Sequence, residues 1–268
     1  VNLVAAIRSE FTKLLSTRLW WVLAIIMIGY IALVSGGAAA LFGGLGPTVT
    51  RGPAIDLSTL PSLVYSFATS LGYVFAVLLG ALAVTSEFRH KTLTPTFLAV
   101  PRRGRVLTAK LITLLIAGAV FGVLALIAAV GAGAAALAAV GIDPQLGDGD
   151  TWGLVARSVL AMALWAAIGT GLGFLVPSQV ASIVIVLAFT QFVEPILRAA
   201  SGIAEWTAEI GKFLPGSASD ALVGASFYSL VSPSSQSLSW WQGGLVLVVI
   251  AAVATGIGWF TSWRRDVS

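Results

Sequence analysis

The chain of 268 residues carries 15 Lys and Arg, 11 Asp and Glu and one histidine, for a formal net charge of +4; 58% of its residues are hydrophobic and 10% charged. A soluble domain carries roughly a quarter charged residues, so this balance excludes an ordinary water-soluble fold and makes the bilayer the relevant solvent. The absence of cysteine excludes disulfides, iron–sulfur clusters and thiolate zinc sites, and the lone His90 excludes a multi-histidine metal centre.

Residues 1–18 read as an interfacial amphipathic helix, with Leu3, Ile7, Phe11, Leu14 and Leu15 on one face and Arg8, Ser9, Glu10, Thr12 and Lys13 on the other. The apolar run that follows, 19–41, exceeds a signal-peptide core of about 7 to 15 residues, so it is expected to be a retained first span. Five further uncharged or nearly uncharged runs are long enough to cross roughly 30 Å of hydrocarbon. The six expected spans are 19–42, 62–86, 106–140, 153–176, 180–197 and 242–263. The third is longer than a bilayer requires and is expected to tilt or protrude.

Basic residues define the orientation. Arg8, Lys13, Arg18, Arg89, Lys91, Arg102, Arg103, Arg105, Lys110, Arg264 and Arg265 fall on one side; Arg51, Arg157, Arg198 and Lys212 fall on the other with most of the acids, among them Asp56, Asp143, Asp150, Glu205 and Asp220. Positively charged loops stay in the cytoplasm, which places both termini there. The tryptophans agree: Trp20, Trp21, Trp259 and Trp263 mark the inner boundary, Trp152, Trp240 and Trp241 the outer, and only Trp165 lies well inside a span. Because the positive charge sits at helix ends, it carries topology, and no nucleic-acid partner is expected. The expected fold is an all-α polytopic membrane protein of one domain, with short helices or a re-entrant hairpin in the long outer connection, 198–241.

Within the spans, Glu194 and Arg198 have helix-pair spacing at the outer end of the fifth. They read either as an outer-gate element loosened by Pro195 or as a self-neutralising pair. Gln191, with Thr190, Gln179 and Ser182, either lines a cavity or bonds between helices. Arg157 is expected to reach headgroups or Asp150. Gly118 and Gly122 in the third span, and Gly169, Gly171 and Gly173 in the fourth, are expected to permit close helix packing.

The inner loop between the second and third spans, 87–105, carries most of the information. It reads Glu87-Phe88-Arg89-His90-Lys91-Thr92-Leu93, passes through Leu98-Ala99-Val100-Pro101 to the cluster Arg102-Arg103-Gly104-Arg105, and reaches Ala109-Lys110-Leu111. Thr94 and Pro95 suit an N-cap and first helical position. An acid at a positive-inside boundary does nothing for topology, so Glu87 is expected at an interface. For Arg102, Arg103 and Arg105, contact with anionic headgroups and contact with a partner protein stand equal.

At these residues the chain resembles the membrane subunit of type 2 ABC exporters, whose pattern runs from Glu-aromatic-Arg through Thr-Leu and Leu-x-x-Pro to a basic cluster and Ala-Lys-Leu. It departs from many relatives in having Lys91 where they have glycine. The resemblance implies that residues 87–100 form a coupling helix seated in a cytoplasmic ATP-binding subunit, with Glu87, Phe88, Arg89, Lys91, Thr92, Leu93, Phe97, Arg102 and Arg103 at that contact. It also implies that the N-terminal helix, through Ile7, Phe11 and Lys13, is an elbow beside it. The complex so implied has two ATP-binding subunits carrying ATP and Mg, and a second permease chain, identical or related, in a bacterial cytoplasmic membrane. The chain has no G-x-x-x-x-G-K-[S/T] loop of its own, so it is expected to bind no cofactor and to be no enzyme. An export path with few fixed charges suits a hydrophobic or amphipathic cargo: a drug, a peptide antibiotic or a lipid-like molecule. Two other classes compete: an ion-coupled secondary carrier, which needs intramembrane acids, and a scaffold or sensor that borrows an ATPase without transporting.

Overall fold

A backbone in hydrocarbon must satisfy its own hydrogen bonds, and each apolar run accordingly folds as a helix. The computed structural model describes residues 2–44, 57–99, 102–201, 205–226 and 238–263, and no strand occurs among them. The expected features at Arg51, Asp56, Val100, Arg264 and Arg265, and the side chains of Phe97, Glu205 and Trp263, lie outside the described residues. In chain order the helices are α1 (Leu3–Ser16), α2 (Leu19–Gly44), α3 (Leu60–Ser70), α4 (Tyr73–Arg89), α5 (Leu93–Ala99) and α6 (Arg103–Ala139). They continue as α7 (Gly149–Leu175), α8 (Gln179–Ala188), α9 (Glu194–Ser201), α10 (Glu205–Gly211), α11 (Pro215–Val223) and α12 (Trp240–Gly258). Six stretches are long and apolar enough to cross a membrane: α2, α3 with α4, α6, α7, α8 through α9, and α12 with its extension.

Span α7 is the centre. It packs against α4, α6 and α12, and with the second span it is mostly buried, whereas the first, fifth and sixth spans turn most of their surface outward. Glycine makes the central contacts possible. A Cβ on Gly118 would lie 2.6 Å from the Ala166 Cβ, and one on Gly171 would lie 2.8 Å from the Ala254 Cβ. These distances fall below van der Waals contact, so the small residues read from the sequence do bring helices together.

Three features differ from the expected helices. The second span is broken at Leu71–Gly72 into α3 and α4, a discontinuity hidden inside a uniformly apolar run. The fifth span widens into a π segment over Phe189–Val193. Pro195 contributes by lacking the N–H that would close a turn onto Gln191. Helix α6 starts at Arg103, three residues before the expected span, and runs 37 residues, roughly 56 Å by helical rise.

In the last long connection, where short helices or a re-entrant hairpin were expected, the described residues form the short helices α10 and α11. Helix α11 is inserted among the spans, with Ala218, Ser219, Leu222 and Val223 buried.

Candidate functional site

The N-terminal helix starts from Asn2, whose side chain accepts a hydrogen bond from the Ala5 N–H at 2.8 Å. Its apolar stripe was expected to face lipid with Glu10 in water. Instead Ala6, Glu10 and Leu14, one turn apart, form the buried edge against α6, and Glu10 is only 6% exposed. Leu3, Val4 and Leu15 remain outside. Burial of the acid is the correction, and its partners explain it.

Glu10 meets Lys110 of the third span and accepts from Lys13 Nζ at 2.6 Å. Glu87, from the end of α4, accepts through Oε1 from Lys13 at 3.0 Å, and the same oxygen pairs with the Lys110 ammonium 3.1 Å away. Two carboxylates and two ammonium groups thus close into a neutral quartet joining α1, α4 and α6. Neutrality matters here, since a buried charge is tolerated only when paired. Burial alone would push the Glu10 carboxyl up, but Lys110 and Lys13 outweigh it and hold it below the usual carboxylate range. For Lys13 burial works downward, and Glu87 with Glu10 overcomes it and raises the ammonium. One oxygen of Glu87, Oε2, is buried without a hydrogen-bond partner.

The quartet reaches the short helix α5 through Lys13, whose Nζ lies 3.3 Å from Thr96 Oγ1. Between α1, α5 and α6 lies a cleft of about 340 Å³ lined by Ala6, Ser9, Thr92, Pro95, Thr96 and Val106, with Glu10 and Lys13 in its wall. On α5 itself Leu93 is fully buried and anchors the helix, while Leu98 stands 79% exposed.

The junction before α5 corrects the expected boundaries. Residues 87–100 do not form one helix, because α4 continues through Arg89 and closes with the Thr92 N–H bonded to Glu87 O at 3.0 Å and the Lys91 N–H to Phe88 O at 3.3 Å. This pair of bonds requires a left-handed residue after the helix, and Lys91 adopts it with φ 53°. The position at which the exporter pattern has glycine is thus a left-handed backbone site. The next helix opens at Leu93, with the Thr92 carbonyl taking the Thr96 N–H, so Thr92 and not Thr94 stands at its start.

The residues expected at one contact therefore separate. Glu87 faces inward at 7% exposure rather than outward. Phe88 packs on the core. Arg89 donates to Gln179 Oε1 at 2.9 Å and ties the second span to the start of the fifth. Lys91, Thr92 and Arg102 are exposed, while Arg103, Ile7, Phe11 and Lys13 are half-buried. Glu10 and Lys110 were not singled out as site residues. Lys110 carried a signal, an ammonium inside a span, and Glu10 carried one in its i, i+4 spacing with Ala6 and Leu14.

A second charge cluster lies at the opposite end. Arg198 holds Glu194 at 3.2 Å and Asp220 of α11 at 2.6 Å. Glu194 also accepts the Gly216 N–H at the start of α11, and Ser226 Oγ donates to Asp220 at 2.7 Å. The pair expected from sequence is present and has a third member, Asp220. Next to Asp220, Ser219 Oγ accepts from Trp165 Nε1 at 3.0 Å, and the indole stacks on Tyr73 at 4.5 Å between ring centroids. Tyr73 OH in turn donates to Thr190 O at 3.3 Å, within the π segment. The two irregular spans are thereby linked. Gln191 is exposed and bonds Thr190 Oγ1 at 3.3 Å. Arg157 does not extend to Asp150; its Nε donates to Gly153 O at 3.1 Å, and its guanidinium rests on Gly224.

No protein-family model matches the chain, and no curated protein matches it. Six apolar helices make it a multi-pass membrane protein.

Proposed function

We propose that the chain is the membrane permease subunit of an ATP-driven exporter, working with a second permease chain and two cytoplasmic ATP-binding subunits, in a bacterial cytoplasmic membrane. The observation that carries this reading is α5. It is a seven-residue helix standing between two spans, with Leu98 projecting from it and Leu93 rooting it. An exposed leucine on a short helix is suited to a cleft in a partner, and a force on α5 has somewhere to go. Through Thr96 and Lys13 it reaches the quartet, hence α1 and the ends of the second and third spans together. ATP and Mg belong to the partner subunits, and the cargo is hydrophobic or amphipathic.

The secondary-carrier reading is weaker because Glu194, the acid it would use, is already bound by Arg198 and by the α11 backbone. The test is co-purification with a candidate ATP-binding subunit after co-expression, with ATPase activity measured after reconstitution. Leu98→Asp changes an exposed side chain and is expected to abolish complex recovery while the permease itself stays folded. Unchanged recovery and activity would remove α5 as the docking element and return the scaffold and carrier readings to the front.

A further inference from the structure

A recess separate from both charge clusters opens sideways between the third and sixth spans, at the end of the bundle where α1 lies. Helices α6 and α12 both pack on α7, and the space between them has a volume of about 360 Å³. Leu107, Leu111 and Leu115 form one wall, with Ala252, Thr255 and Trp259 on the other. From Leu107 to Leu115 the helix rises roughly 12 Å, most of one leaflet's share of a roughly 30 Å hydrocarbon layer. At the membrane-surface end Trp259 reaches across toward α6, where a Cβ on Gly104 would meet its ring at 3.8 Å. A tryptophan in this place sits at headgroup level.

Charge at the mouth selects the occupant. Arg103 lies one turn before Leu107, on the same stripe of α6, and Arg105 follows Gly104. Among the described residues this end of the protein carries Arg8, Lys13, Arg18, Arg89, Lys91, Arg102, Arg103, Arg105 and Lys110 against Glu10 and Glu87, an excess of seven positive charges. A second copy of the chain placed symmetrically here would bring like-charged rims together, which is unfavourable. An apolar chain attached to an anionic headgroup satisfies both parts of the recess.

We infer that this recess is a binding site for an anionic phospholipid of the adjacent leaflet, with one acyl chain between α6 and α12 and the phosphate at Arg103 and Arg105. The site does not depend on the exporter reading, since it needs only the membrane and the basic end.

The experiment is native mass spectrometry of the full chain, exchanged into nanodiscs of phosphatidylglycerol or phosphatidylcholine and then released. Wild type is expected to retain one phosphatidylglycerol in preference to phosphatidylcholine. Ala252→Phe, which fills the recess from an exposed position, should lose that lipid. Val253→Phe, a like change outside the lining on the neighbouring lipid-facing position, should keep it. Replacing Arg103 and Arg105 by Gln should reduce the preference for the anionic lipid roughly fivefold for each arginine removed. Equal retention in wild type and Ala252→Phe would overturn the inference, as would equal retention of the two lipids by wild type. Cross-linking of Ala252→Cys to a second copy of the chain would also overturn it, by assigning the recess to an interface between copies.

Discussion

The two ends of the bundle solve the same problem with different charge counts. At the α1 end two carboxylates, Glu10 and Glu87, face two ammonium groups, Lys13 and Lys110, and the sum is zero. At the opposite end one guanidinium, Arg198, serves two carboxylates, Glu194 and Asp220, with a serine hydroxyl and a backbone N–H completing the set. A balanced cluster is locked at neutral pH, because removing or adding a proton leaves a buried charge. A cluster with one acid in excess can take up a proton without loss. The first suits a rigid joint that transmits force, the second a joint that can open.

The largest expected effect breaks the balanced end. Lys110 is 3% exposed, and Lys110→Met would leave Glu10 and Glu87 buried with Lys13 alone, at a cost of about 3–5 kcal/mol. Thermal unfolding in detergent and protease cleavage between α1 and α2 should both report it. The double change Glu10→Gln with Lys110→Met should recover most of the loss; failure to recover would mean that packing around the lysine stem, and not charge balance, holds α1.

Arg198→Met at the other end is expected to cost less, about 2 kcal/mol, because the stranded acids can protonate and Asp220 keeps Ser226. Equal costs at the two ends, measured by the same unfolding assay, would erase the distinction between a locked and an open-ended cluster.

The clusters should also respond to pH with opposite sign. Glu10 is held below its ordinary value near 4.3, so its contribution is complete above that pH and is lost as the pH falls through the depressed value. Lys13 is raised above an ordinary value near 10.4, so its contribution is complete below that pH and is lost only as the pH climbs through the raised value. Protection of α1 should therefore be flat between about pH 5 and 10 and fall on acidification. Burial pushes the Asp220 carboxyl up despite Arg198, so α11 should be best protected in acid and lose protection as the pH rises through the raised value. Amide exchange of α1 and α11 across this range, corrected for intrinsic rates, measures both. Asp220→Asn should flatten the α11 profile and leave that of α1 unchanged.

The sequence carried the helices far better than the contacts between them. Hydropathy located all six spans because lipid leaves the backbone no alternative, and glycine spacing in α6 and α7 indicated the tight crossings. The break at Leu71–Gly72 was invisible, since both halves are equally apolar and only packing reveals the interruption. Glu194 and Arg198 were legible as a local i, i+4 pair, whereas Asp220 lies 22 residues away on a separate helix. The site at the α1 end was half legible. Glu87 stood out as an acid in the wrong place, but its partners are Lys13 and Lys110, far off in the chain, and no local pattern encodes that meeting.

The smallest effect compares how each cluster's helix ends. Both α4 and α11 finish on a left-handed residue, Lys91 with φ 53° and Gly224 with φ 89°. A side chain there costs about 1–2 kcal/mol from the clash of Cβ with the following carbonyl, and glycine avoids it. Lys91→Gly should therefore stabilise the α1 end by about 1 kcal/mol, reduced slightly by the greater freedom of glycine in the unfolded chain. Gly224→Ala should destabilise the other end by at least about 1 kcal/mol, because its Cβ would also approach an Arg157 guanidinium nitrogen to 3.3 Å. Paired melting curves of the two variants should move in opposite directions. If Lys91→Gly shows no gain, the strain at that turn is offset by contacts of the lysine, and the glycine of the exporter pattern does not have a purely conformational origin at this position.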